Sequence, residues 1–91
     1  MKTPQEFIEH FSAIPEEKWT RFITLKNLKG QCCALGHCPV GSRLALTELF
    51  HAQDLTLTGI NDSPLFKFNQ PTPKQRVLAA LEVIAQKQQQ P

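Results

Sequence analysis

Ninety-one residues, with ten Lys or Arg against eight Asp or Glu, carry a formal net charge of +2. So short a chain has room for one core, and its near balance of charge excludes the strong basic excess of a general nucleic-acid binder. Hydrophobic residues make up 41% of the chain, too many for a disordered polymer, and three cysteines cannot complete a set of intramolecular disulfides.

An odd thiol count reads as a reduced, cytoplasmic protein. Residues Met1 to Glu6 show no apolar run of the signal-peptide kind. No stretch approaches the ~20 apolar residues that cross a bilayer.

The chain opens on a legible helix start. Thr3 is placed as N-cap, Pro4 at the first helical position and Glu6 as the reciprocal half of a capping box. Phe7, Ile8 and Phe11 follow at helical spacing, and Pro15 ends the segment. Glu16, Glu17 and Lys18 lead into Trp19 as a short helical turn, its acids near the positive end. Arg21 to Lys26 then alternates with β-branched and aromatic residues, a strand signal. Asn27 to Gly30 supplies turn chemistry.

Gln31 to Leu35 reads as a return strand or as the first turn of a helix, with Gly36 as its breaker. Ser42 is a candidate N-cap for a further helix carrying Leu44, Leu46, Leu49 and Phe50. From Asp54 to Ile60, Leu and Thr alternate, which predicts a short extended segment. Asn61, Asp62, Ser63 and Pro64 form a strong turn signal. Leu65 to Phe68 reads as extended or as a docking loop. Thr72, Pro73 and Gln75 repeat the N-terminal capping device. Val77, Leu78, Leu81, Ile84 and Ala85 then make one stripe of a helix from about Pro73 to about Gln88. Residues 88–91 should fray.

These elements predict an α+β architecture, mainly helical, forming a single domain over residues 1–91 with a short β-hairpin. The expected core comprises Phe7, Phe11, Phe22, Leu25, Leu35, Leu46, Phe50, Leu78, Leu81 and Ile84. Phe66, Phe68 and Trp19 are the candidates for partner contact, because a small domain with apolar groups to spare can cover them by association.

Reactive chemistry is concentrated between Cys32 and Cys38. A metal reading would use Cys32 or Cys33 with His37 and Cys38, completed by His51 or His10 from a distance. The spacing lacks the paired knuckles of common zinc sites. A nucleophile reading would use Cys33, since a helix N-terminus favours a thiolate. His37 or His51 would then act as base, and Asn61 or Asp62 would orient the ring. A structural reading treats the cysteines as small buried hydrophobes, and it carries most of the weight. Lys18, Arg21, Lys26 and Lys29 beside Trp19 and Phe22 could contact a single-stranded nucleic acid. A solvated face explains them equally well, and Glu16 and Glu17 dilute the patch.

Cys33-Ala34-Leu35-Gly36, then Asn61-Asp62, then a closing helix with Thr72, Val77, Leu78 and Leu81, resemble a family of small bacterial and phage proteins classed as a domain of unknown function. The similarity runs from about Trp19 to about Ala85. It implies a bacterial or phage origin and a cytoplasmic location, and brings no established activity or assigned residue roles. The chain departs from that pattern at His37-Cys38-Pro39, where small apolar residues would be expected.

The sequence therefore predicts a small non-enzymatic protein that binds a protein partner or itself, an inhibitor of a host system being one version. No cofactor is expected, and metal, membrane and nucleic acid are disfavoured as partners. The alternatives are a Cys-dependent hydrolase or transferase built on Cys33 with His37 or His51, and a metal- or nucleic-acid-binding module.

Overall fold

The structure is a computed structural model and describes residues 1–21, 26–63 and 68–89. Five α-helices occur among the described residues: α1 (Pro4–Ser12), α2 (Ala34–His37), α3 (Arg43–His51), α4 (Leu57–Asp62) and α5 (Pro73–Gln89). Single 3-10 turns lie at Glu16–Lys18 and Val40–Ser42.

The capping box at α1 forms as the sequence predicts. Thr3 Oγ1 accepts the Glu6 N–H at 3.3 Å, and Glu6 Oε1 accepts the Thr3 N–H at 3.1 Å. The Lys2 and Thr3 backbone N–H groups, with the Thr3 hydroxyl, hold the Glu6 carboxyl below its ordinary range. At α5, Thr72 Oγ1 accepts the Gln75 N–H at 3.2 Å. Phe7 and Phe11, one turn apart, face inward and are fully buried.

Among the described residues the first and last helices make the most extensive packing, and α4 lies on α5 beside them. One apolar cluster joins Phe7 and Phe11 of α1 to Leu46 and Phe50 of α3. It continues through Leu57 and Ile60 of α4 to Val77, Leu81 and Ile84 of α5. Leu35 and Leu78, expected inside, are only half-buried and pack at its edge. Phe22 and Leu25 lie outside the described residues.

The expected α+β class with a β-hairpin is corrected to a mainly helical fold without a sheet among the described residues. Residues 22–25 of the anticipated first strand lie outside the described part. Among the described residues, the return limb pairs only at Cys32, with Trp19, and that bridge is parallel. Cys32 N–H donates to the Lys18 carbonyl and the Cys32 carbonyl accepts from Thr20 N–H, both at 3.1 Å. A hairpin brings its limbs together antiparallel, so this parallel bridge is not a hairpin pairing. The segment then turns helical at Ala34 and has no room to extend the bridge into a ladder.

The Asp54–Ile60 stretch is also corrected, from extended to helical over Leu57–Asp62. Leu57 and Ile60 enter the core, and the exposed Thr58 lies between them. That i, i+3 pair marks a helix face, which the Leu/Thr alternation masked. Asn61 and Asp62 accordingly form the last turn of α4. Ser42 does not cap α3; its hydroxyl accepts the Met1 amino group at 3.1 Å.

Chain reversal after α3 uses a Schellman arrangement. The Leu55 N–H reaches the Phe50 carbonyl at 2.9 Å and the Asp54 N–H reaches the His51 carbonyl at 3.0 Å. Asp54 supplies the left-handed residue this needs, with φ of 55°. Leu55 and Phe50, the residues this motif pairs, are both buried in the same apolar cluster.

Candidate functional site

The segment from Cys32 to Cys38 packs against α4 and α5 and is reached from α1 by His10. All three cysteines are free and buried, at 0%, 3% and 2% exposure for Cys32, Cys33 and Cys38. Burial pushes the Cys32 and Cys38 thiols up from their ordinary range. The Cys38 thiol donates to the Pro39 carbonyl at 3.5 Å. Cys33 stands as N-cap of α2 in extended conformation, with no side-chain capping bond.

The capping partner comes instead from Asn61. Its Oδ1 accepts the Ala34 N–H at 3.0 Å, and its Nδ2 donates to the Thr20 carbonyl at 3.0 Å and to Asp62 Oδ1 at 2.8 Å. These partners fix which end of the carboxamide is oxygen, since a carbonyl cannot donate. Asn61 is fully buried, so one side chain joins α4, α2 and the Trp19–Cys32 bridge.

Behind Asn61 lies Arg76 of α5, only 2% exposed. Its guanidinium donates to the carbonyls of Ile60 at 2.8 Å, Asn61 at 2.7 Å and Gln70 at 2.8 Å. The first two are among the carbonyls that the C-terminus of α4 leaves without helical partners. Burial lowers the Arg76 pKa from its ordinary value, with the Arg21 charge adding to this and Asp62 opposing it. Sequence reasoning missed Arg76. The available signal was its register: Arg76, Ala80 and Ile84 are spaced by four on the face that Val77 and Leu81 also occupy.

On the other side of α2 lie two half-buried histidines. His37 Nε2 meets the Lys18 carbonyl at 2.7 Å, and His10 Nε2 meets the His37 carbonyl at 2.7 Å. Because a carbonyl only accepts, each ring carries its proton on Nε2. The His37 ring also lies 5.0 Å from the Trp19 ring, which stands edge-on to Phe11 at 5.4 Å. Desolvation lowers the His37 pKa, while the carbonyls of Lys18 and Cys32 oppose that shift.

His10, Ile14, Lys18, Lys26, Gly30, Gly36 and His37 line an open cleft of about 360 Å³ at this point. Asp62 sits at the end of α4, where its carbonyl accepts from Arg21 Nη1 at 3.3 Å. His51 is exposed at the end of α3. Trp19 is buried at 5% exposure and Phe68 is half-buried against the core, while Phe66 lies outside the described residues.

The structure thus brings Asn61 to the Cys33–Ala34 peptide and His37 to Trp19. Among the described residues no hydrogen bond joins a cysteine sulfur to a histidine. Nor does any group of three or more His, Cys, Asp or Glu side chains converge to hold a metal ion among them. No helix among them is long and apolar enough to cross a membrane.

Comparison with protein-family models, curated proteins and solved structures finds no match.

Proposed function

We propose that this is a non-enzymatic interaction protein that acts by self-association through the outer face of α3. One observation carries the reading: α3 is apolar on two sides. Leu46 and Phe50 face the core at 0% exposure, while Leu44 on the opposite face is 69% exposed and the neighbouring Val40 75%. Leu44, Ala45, Leu49 and Ala52 line a groove of about 490 Å³, bordered by Lys2 and Glu48. Exposed apolar surface gathered in one place marks an interaction site in small domains.

The bordering charges favour a second copy of the chain as the occupant. Two-fold pairing presents the same patch on both copies, so Lys2 of each can meet Glu48 of the other. Size-exclusion chromatography with light scattering across a concentration series tests this. The expected result is a monomer–dimer equilibrium that Leu44→Glu shifts to monomer. Glu48→Lys alone should weaken the dimer, and adding Lys2→Glu should restore it. A strict monomer at several hundred micromolar, or a dimer indifferent to Leu44→Glu, would sink the reading.

A further inference from the structure

A second, separate feature is the cleft between α1, the Glu16–Lys18 turn, the Lys26–Gly30 loop and α2. Its lining contributes the two ammonium groups of Lys18 and Lys26, the imidazoles of His10 and His37, and no acidic side chain. They converge from four different segments of chain. Asp and Glu occur elsewhere on the same elements: Glu6 and Glu9 on α1, Glu16 and Glu17 on the turn. None of them lines the cleft. The charges that act on His37 are Lys26 and His10, both of one sign. Lys29 adds to that sign from the loop, and Arg43 from α3 donates to the carbonyls of Leu35 and Cys38 behind α2.

The frame around these groups is ordered by hydrogen bonds. Asn27 Oδ1 accepts the N–H groups of Lys29 and Gln31, both at 2.9 Å. Gly30 takes φ of 74°, and a Cβ there would meet Lys18 Nζ at 3.5 Å. The ammonium of Lys18 therefore rests over the Lys26–Gly30 turn. A concave site lined by one sign of charge focuses its field and raises the local concentration of counter-ions. Its volume suits a ligand of a few heavy atoms around one anionic head.

We propose that this cleft binds a phosphate dianion, free or esterified on a small molecule, between the ammonium groups of Lys18 and Lys26. The lysines supply point charges that suit a phosphate's oxygens.

Trp19, the single tryptophan of the chain, lies against His37 and reports on the site. Tryptophan fluorescence and amide NMR shifts would be followed as inorganic phosphate, glycerol 3-phosphate or sodium chloride is added at constant ionic strength. The expected result is a saturable response to phosphate or its ester, with shifts confined to residues around His10, Lys18, Gly30 and His37. Tighter binding of glycerol 3-phosphate identifies the esterified source; tighter binding of inorganic phosphate identifies the free ion. The variant Lys18→Gln with Lys26→Gln, both exposed side chains, should weaken binding at least tenfold while leaving the melting temperature unchanged. A linear response matched by chloride, or binding that survives the double substitution, would overturn the proposal.

Discussion

The Asn61 side chain hydrogen-bonds the Ala34 backbone across 3.0 Å, with Asn61 fully buried. It thereby does for α2 what a capping Ser or Asp does for most helices, but from another helix. Its remaining bonds to Thr20 and Asp62 are as short. Asn61→Asp keeps an oxygen toward Ala34 and turns a second, charged oxygen toward the Thr20 carbonyl. We expect a loss of about 2–4 kcal/mol in urea unfolding, from an unsatisfied buried group and a repelled charge. A change below about 0.5 kcal/mol, the range of ordinary surface substitutions, would remove Asn61 from this central role.

Arg76 offers a sharper comparison between two cations. Lysine in its place keeps the charge but loses the planar fork that reaches three carbonyls. Arg76→Lys should cost about 2–4 kcal/mol, since the vacated carbonyls stay buried. Equal stability of the two proteins would show that charge alone, and not the fork, is what α4 requires.

Asp54 tests the turn after α3. Its positive φ suits glycine better than any side chain, so Asp54→Gly should raise stability by about 0.5–1 kcal/mol. Asp54→Val, β-branched in the same conformation, should lower it by about 1–2 kcal/mol. Thermal melts of the two variants should move in opposite directions.

His37 sets a pH dependence. The unfolded chain takes up the imidazole proton near the ordinary value of 6.5, while burial in the folded protein resists it. In the window just below 6.5 the unfolded state binds more protons, so stability rises with pH there and is lost as pH falls. Lys26 and His10 add to this by repulsion, and the Lys18 carbonyl works against it. His37→Gln keeps a donor toward Lys18 and should flatten the profile between pH 5 and 7 in denaturant midpoints. An unchanged profile would assign the dependence elsewhere.

The thiols give a fourth kind of readout. With Cys32 and Cys38 buried and their pKa values raised, labelling at pH 8 should be slow for both in the folded protein and fast in urea. Rapid native labelling of either, read by peptide mass, would mean the segment opens readily.

What was legible in the sequence lies at the two ends of the chain. Thr3 with Glu6 and Thr72 with Gln75 are local signals, and each needs only its own next three residues to act. The inward faces of α1 and α5 follow the same logic. The middle was misread because its determinants are distant in sequence. Nothing near Ala34 says that Asn61 will cap its helix, and nothing near Ile60 says that Arg76 will take its carbonyl. The alternation of Leu55, Leu57 and their Thr neighbours fits a strand by itself, and tertiary burial of Leu57 and Ile60 decides for a helix. For the candidate site, Cys32 to Cys38 marked the right neighbourhood. Lys18 and Lys26 were legible beside it as part of a basic run, but their meeting with His10 and His37 in one cleft was hidden, because the four come from separate segments.

The pairing of the first helix with the last sets a schedule for biosynthesis. Phe7 and Phe11 emerge from the ribosome early, yet the face that covers them starts at Pro73. At roughly 5–20 residues per second they wait several seconds without their partner. The nascent chain therefore carries an adhesive aromatic pair until α5 has been made. Slowing elongation over the codons between α1 and α5 should lower soluble yield.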